Sequence, residues 1–521
     1  MAHPRTLTDW QALTGDQALS KAERQLIECC REGAPCKLGD GMLPKRKSKA
    51  RTIRADLLRW LILGGAEDCR VHEWGVRLAG AYVEGPLDLS FAEAKGPTGL
   101  TNCRFGAGIT ALAARLQLLF LTGSAVKGLN LQGASVTQNV FLRGNFKAKG
   151  EVSLVGAKIG GQLSCDGGSF DNAGGNALIA ERAEVTGDVF LSDGFSAKGE
   201  VSLVGAKIGG QLSCDGGSFE NADGDALIAQ DAEIGSLHWK KVTVPSGSVD
   251  FYSAHIHAMA DDAKSWPERG RLFLDGMRYD RLVATFTDAE GRLEWLAKGD
   301  RSNGAFTPQP YTQLAKVLRE MGHERDARAV LIAKERKLAA ERIAQDRQRA
   351  QELWAGRQGV RGDIGWHWLR RTGFKLWNGL ARRLVGYGYA PQFAFYWMVG
   401  TVAVLTGLYL LCWRFGGMVP NSEVILNSAD WAAAMAESPL APGRIWAESD
   451  VGRHYETFSA LIYASDVFIP LIDFAQQSAG TATTANWIGY VAFRLNFLAE
   501  GFGWFLTAMG AAAITGIIRR D

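Results

Sequence analysis

Apolar residues recur every five positions through the middle of the chain. Leu116, Leu121, Val126, Leu131, Val136, Phe141 and Phe146 keep this spacing without a break. A helix returns an apolar side chain about every 3.6 residues and a flat strand about every 2. A five-residue period suits neither. It suits a coil that points one apolar side chain inward from each of four faces, with a turn of about twenty residues. A longer repeat lies over this one. AKGEVSLVGAKIGGQLSCDGGSF occurs at Ala148–Phe170 and again, unchanged, at Ala197–Phe219, an offset of 49 residues. NALIAERAEV at 176–185 is answered by DALIAQDAEI at 225–234. Gly-Ala-x-Ile/Val recurs at Gly133-Ala134, Gly156-Ala157 and Gly205-Ala206, and Arg182-Ala183 fills the same place, giving steps of 23, 26 and 23 residues. A fixed period of this kind predicts a solenoid.

These residues resemble the pentapeptide-repeat family of right-handed quadrilateral β-helices over about 78–240. Gly-Ala-x-Ile and Gly-x-Leu-x-Leu stand where that family has its Ala-Asp/Asn-Leu consensus. The resemblance implies a mainly β, right-handed parallel β-helix, and we assign it residues 71–258.

The flanks change period. ADLLRWLILGG at 55–65 carries Leu57, Leu58, Leu61 and Ile62 on one helical face, and Gly64-Gly65 stops it. Residues 1–70 are therefore expected to form a helical cap, because an open solenoid end is a reactive sheet edge. After the solenoid, 259–365 is expected to hold a helical hairpin around Gly322-His323 and a charged spacer helix. The hairpin resembles a single tetratricopeptide unit, at Leu314, Ala315, Leu318, Gly322, Ala327 and Ala329. It is expected to pack on the last turn.

Residues 393–521 read as a membrane domain. Phe393–Trp413 is an uncharged stretch long enough to cross a bilayer. A second span is expected at about 495–518, closed by Arg519 and Arg520 and carrying small residues for close helix packing. Arg370, Arg371, Lys375, Arg382 and Arg383 precede the first span, so the positive-inside rule predicts both ends in the cytoplasm. The first ten residues, MAHPRTLTDW, show no secretory h-region, so the β-helix is expected on the same side. Residues 366–392 read as a basic interfacial helix, with Trp366, Leu369, Leu376 and Leu380 beside the charges, and a joint. Such a helix is expected to hold to anionic lipid. Between the spans, 455–474 reads as an amphipathic helix on the outer side. Asp466 and Asp473 would share a face of it if the helix continued through Pro470.

Composition narrows the chemistry. The net charge is only +3, which gives no global field for nucleic acid. Eight cysteines form no CxxC pair and no regular framework, which fits a reducing compartment. Cys29, Cys30 and Cys36 are read as unpaired thiols. Cys165 and Cys214 are equivalent positions two turns apart, about 10 Å at the strand spacing. That exceeds the reach of a disulfide, so both should be unbridged. The Asp-Gly-Gly runs at Asp166 and Asp215 are read as corner turns. His255-Ile256-His257 would place both histidines on one face of a strand, with Asp261 and Asp262 close behind. It is a candidate metal pair; a polar last turn is the plainer reading.

Val385-Gly386-Tyr387-Gly388 matches the core of a potassium-channel filter. It precedes the first span, however, and follows a basic helix. A filter belongs between two spans, so this stretch is read as a flexible joint. No GxGxxG, CxxC or haem motif is present, and no cofactor or catalytic set is assigned.

The closing stretches FSALIYASDVFIPLIDF and GWFLTAMGAAAITGIIRRD resemble the shared tail of bacterial membrane-anchored proteins with pentapeptide-like repeats. That group is sometimes labelled membrane-associated oxidoreductase. The resemblance implies a bacterial inner-membrane protein. The expectation is a non-catalytic scaffold or sensor that binds a protein partner on the β-helix, with self-association left open. The first alternative is an oligomeric channel or envelope sensor with Asp466 and Asp473 as an outer acidic face. The second is the redox enzyme of the label.

Overall fold

The computed structural model describes residues 6–13, 15, 18–302, 304–355, 361–456 and 458–517. Arg519 and Arg520 lie outside them, as does the side chain of Trp366. The chain divides into two compact units, 1–334 and 335–521.

The first unit is a parallel β-solenoid of nine turns. One ladder runs through Leu87, Ile109, Leu129, Val152, Leu178, Val201, Leu227, Val249 and Leu272, each paired in parallel with the next. Three further ladders run beside it, through Phe120 and Phe141, through Val126 and Ala148, and through Val136 and Ile159. All seven residues of the five-residue series are buried. From Leu116 to Val136 each five-residue face buries the residue of the series and the one two positions before it, as Val136 and Ala134 show. Phe141 lies between buried Val140 and Leu142 and stacks on its ladder partner Phe120.

The Gly-Ala-x-Ile phrase has a backbone cause. Phe91, Ala113, Gly133, Gly156, Arg182, Gly205, Asp231, Ser253 and Gly276 all have positive φ, one per turn at the same corner. Glycine takes this conformation without strain. The alanine that follows points inward; Ala134, Ala157, Ala183 and Ala206 are all buried. The isoleucine or valine two residues later is buried on the next face. Arg182 occupies the corner with φ 51°, as its place in the repeat requires. The Asp-Gly-Gly runs are also corners. Gly167 and Gly216 carry the positive φ, and Asp166 accepts hydrogen bonds from the Ser164 and Ser192 hydroxyls.

An aromatic column runs up the interior. Phe146, Phe170, Phe195, Phe219, Trp239, Trp266 and Trp295 follow one another at ring-centroid distances of 5.5, 5.2, 5.5, 5.5, 5.3 and 5.7 Å. Each contact of this type adds about 0.5–1.5 kcal/mol beyond area burial. Cys165 and Cys214 lie two turns apart with Leu191 between them, and both are buried and unbridged.

Both ends are closed. At the first, Ser20 and Glu23 form a capping box on helix Lys21–Glu32. Glu23 also binds Arg54, at 2.8 Å. Helix Ala55–Ile62 buries Leu57, Leu58, Leu61 and Ile62, and Lys95 N–H donates to Ile62 C=O at 3.1 Å. Strands Cys36–Lys37 and Thr52–Arg54 extend two ladders onto this cap, so the residues before 71 are not wholly helical.

At the other end the ladders continue to Leu282, past the expected limit at 258. There Asp261 turns inward. Its carboxylate takes two hydrogen bonds from Arg292, at 3.0 and 2.8 Å, and one each from Trp266 Nε1 and Thr285 Oγ1. Arg292 belongs to helix Ala289–Lys298, which the apolar pattern did not reveal. The hairpin Gln309–Glu320 and Glu324–Ala355 follows. Gln309 and Gln313 donate to the carbonyls of Met277 and Tyr279 on the last turn.

In the second unit, helices Gln392–Arg414 and Trp487–Ile514 are long and apolar enough to cross a membrane. The second begins eight residues before the expected 495. Helix Ala460–Phe468 packs against both. Tyr463 stacks edge-on with Tyr409 at 4.8 Å, and Asn496 joins the two hydroxyls, at 2.6 Å to Tyr409 and 3.0 Å to Tyr463. The segment between the spans is folded. Strands Met418–Pro420 and Gly480–Ala482 pair antiparallel, and Trp431, Trp446 and Tyr455 pack together.

Candidate functional site

The solenoid brings one set of metal-ligating side chains together on its exterior. His255, Ile256 and His257 lie on strand His255–Asp261. Ile256 is buried, so the alternation of the strand turns both histidines outward. Strand Arg278–Leu282 pairs with it in parallel, His255 beside Arg278 and Ile256 beside Tyr279. That register sets Asp280 next to His257. Asp280 Oδ2 lies 2.8 Å from His257 Nδ1, and Oδ1 lies 3.3 Å from His255 Nε2. The two rings are 4.7 Å apart at 60°. The donor atoms of the three residues lie within 4.8 Å of one another. Hydrogen bonding by His257, then by His255, holds the Asp280 carboxyl below its usual range.

The acid that meets the two histidines is Asp280, not Asp261 or Asp262, which follow them closely in the sequence. Asp261 is committed to Arg292 inside the core. Asp262 accepts the backbone N–H groups of Lys241, Lys264 and Ser265. Asp280 lies one turn of the solenoid further on, and only the 23-residue step from His257 would have pointed to it.

The cysteines near the first cap are unbridged, and all but Cys29 are buried. Burial pushes the Cys30 thiol up to about 12, with Cys29 and Cys69 adding to it. Cys103 is pushed up to about 12 by burial also. Such thiols stay protonated and unreactive at neutral pH.

The basic helix spans Arg361–Val385. Ala381, Leu384 and Val385 are buried. Leu369, Leu376 and Leu380, seven and four residues apart, form an exposed apolar stripe. Arg371, Lys375 and Arg382 share a second stripe, and Arg383 borders the leucines. Arg370 instead pairs with Asp346 at 3.1 Å. The expected joint is a hydrogen-bonded turn with buried residues. Gly386, Tyr387 and Gly388 all have positive φ, and Ala390 N–H closes the turn onto Val385 C=O.

Asp466 and Asp473 do not share a helical face. The helix stops at Phe468, two residues before Pro470. Asp466 is buried, and its two oxygens accept the N–H groups of Phe474 and Gln477 at 2.8 and 2.9 Å. Asp473 is exposed and caps Ala475 N–H. Both nonetheless line one cleft of about 390 Å³, with Glu500 and Trp504 of the second span. Comparison of the chain with protein-family models, curated proteins and solved structures finds no match.

Proposed function

We propose that this is a bacterial inner-membrane scaffold of the pentapeptide-repeat-like kind. Its solenoid, a right-handed quadrilateral coil, stands in the cytoplasm and docks a protein partner. The observation that carries the reading is a nine-turn solenoid in the same chain as two helices able to span a membrane. Stacked turns hold outward side chains in straight rows about 4.8 Å apart, a surface suited to an extended partner. Four parallel ladders and positive-φ corners that recur from turn to turn support the quadrilateral form. The exposed leucine stripe beside Arg371, Lys375, Arg382 and Arg383 supports contact with an anionic lipid surface. Partner capture from membranes, with the full chain against one lacking 78–240, tests the docking role. Loss of the captured set is the expected result; an unchanged set refutes it. Protease added to intact spheroplasts should cut the segment between the spans and spare the solenoid.

A second reading has one observation in its favour. Asp466, Asp473 and Glu500 meet at one cleft beside the second span. In an oligomer such clefts would attract cations, and the chain would act as a channel. Liposomes carrying the inserted, folded protein would then pass cations, and Asp473→Asn would cut the flux. Sealed liposomes end this reading and leave the scaffold.

A further inference from the structure

We propose that His255, His257 and Asp280 form a surface site for a divalent transition metal of the zinc class. Two imidazole nitrogens and one carboxylate would bind the ion, and water or an outside ligand would take the remaining positions. This goes beyond the docking role and does not depend on it.

Three features support the site. The first is the donor set. Imidazole suits zinc, copper, nickel and iron, and two imidazoles with one carboxylate leave coordination positions open. Two neutral imidazoles and a carboxylate carry one negative charge, which complements a dication. The second is convergence. A histidine paired with an acid for stability needs one carboxylate oxygen. Here Asp280 turns one oxygen to each ring, at 2.8 and 3.3 Å, and the donor atoms of all three residues lie within 4.8 Å of one another. The nitrogens that meet the carboxylate are the ones an ion would take, and each neutral imidazole would then carry its single proton on its other ring nitrogen. Zinc bond lengths of about 2.0–2.2 Å would require the three side chains to rotate about a shared ion.

The third feature is the support beneath. The backbones of both strands are fixed by the ladder, and Ile256 and Tyr279 are anchored in the core between the ligands. A ligand pair on a rigid strand loses little entropy on binding. On the far side of the histidine strand, Gly235 stands between Ile234 and Ser236, the residues that pair with Ile256 and Ala258. The residue opposite His257 on that strand therefore carries no side chain. His257 and Asp280 are largely exposed, so an ion can enter and exchange freely.

The test is calorimetric titration of Zn²⁺ into the purified, metal-stripped full chain in detergent. Wild type, His257→Ala, Asp280→Asn and His323→Ala are compared, with circular dichroism to show that each is folded. One ion per chain is expected. Either site substitution should weaken binding at least tenfold, and His323→Ala should leave it unchanged. Copper(II) substituted at the site should show an electron paramagnetic resonance spectrum with two nitrogen ligands, reduced to one in His257→Ala. Absence of saturable binding overturns the site, as does binding that survives both substitutions.

Discussion

The solenoid and the membrane unit reach stability by opposite routes. In the solenoid one local solution recurs: a corner residue with positive φ in each of nine turns, a buried alanine directly after it in seven of them, and an inward aliphatic or aromatic side chain. No single middle turn is indispensable, because its neighbours repeat its contacts. The membrane unit holds contacts that occur once. Tyr409, Asn496 and Tyr463 form a single polar link, and Gly503 makes a single close approach to Phe468. The comparison teaches where each unit is vulnerable. Repetition protects the solenoid's middle and leaves its ends as the weak points. In the membrane unit vulnerability is set by individual contacts.

The largest effect should come at the solenoid's closing end. Arg292→Met would leave Asp261 charged, buried and short of two hydrogen bonds. Breaking such a pair costs about 3–5 kcal/mol. Hydrogen exchange in detergent should show the loss over about 255–300, with the two spans unchanged. A destabilisation below about 1 kcal/mol, or one spread into the spans, would break the contrast between the units.

A smaller effect is expected inside the membrane unit. A Cβ at Gly503 would lie 1.9 Å from the Phe468 carbonyl oxygen, so that backbone must move. Gly503→Ala should cost about 2–3 kcal/mol. Gly501, two residues away, has open space where a Cβ would go. Gly501→Ala should be neutral or gain up to about 1 kcal/mol from helix propensity. Unfolding in mixed micelles measures both. Equal effects at the two glycines would show that the helix packing has been misassigned.

Legibility in the sequence follows the same division. The coil, its turn length and the unbridged Cys165 and Cys214 could be read because the signal recurs. The first span could be read because an apolar run of that length has few other uses. Helix Ala289–Lys298 could not, because its face is set by Arg292 and Trp295, whose partners lie on the solenoid's last turns. Asp280 was hidden for a related reason. Its pairing with His257 depends on turn register at a place where no sequence repeat remains. The fold between the spans was hidden because its strands, Met418–Pro420 and Gly480–Ala482, are three residues each and lie far apart in the chain. Pro470 did signal correctly that Asp466 and Asp473 need not share a face. The cleft reunites them through tertiary packing, which periodicity does not report.

The smallest effect sharpens the contrast between the solenoid's ends and its repeated middle. Burial alone would raise the Glu23 carboxyl. The Arg54 side chain, with the backbone N–H groups of Ser20 and Arg54, outweighs that and lowers it. A carboxylate lowered on folding stabilises the fold above its unfolded value. The contribution disappears as pH falls through the folded value. Wild type should therefore exceed Glu23→Gln by about 1–1.5 kcal/mol at neutral pH. The gap should narrow as pH drops below about 4.3, the ordinary value of a glutamate. In the middle of the solenoid, Lys158 and Lys207 face Glu184 and Glu233 at 3.4 and 3.9 Å, but all four side chains are mostly exposed. Such pairs contribute little. Glu184→Gln should therefore leave the stability-versus-pH curve almost unmoved. If it shifts the curve as much as Glu23→Gln does, charge stabilises the repeated turns as well as the ends, and the distinction between them fails.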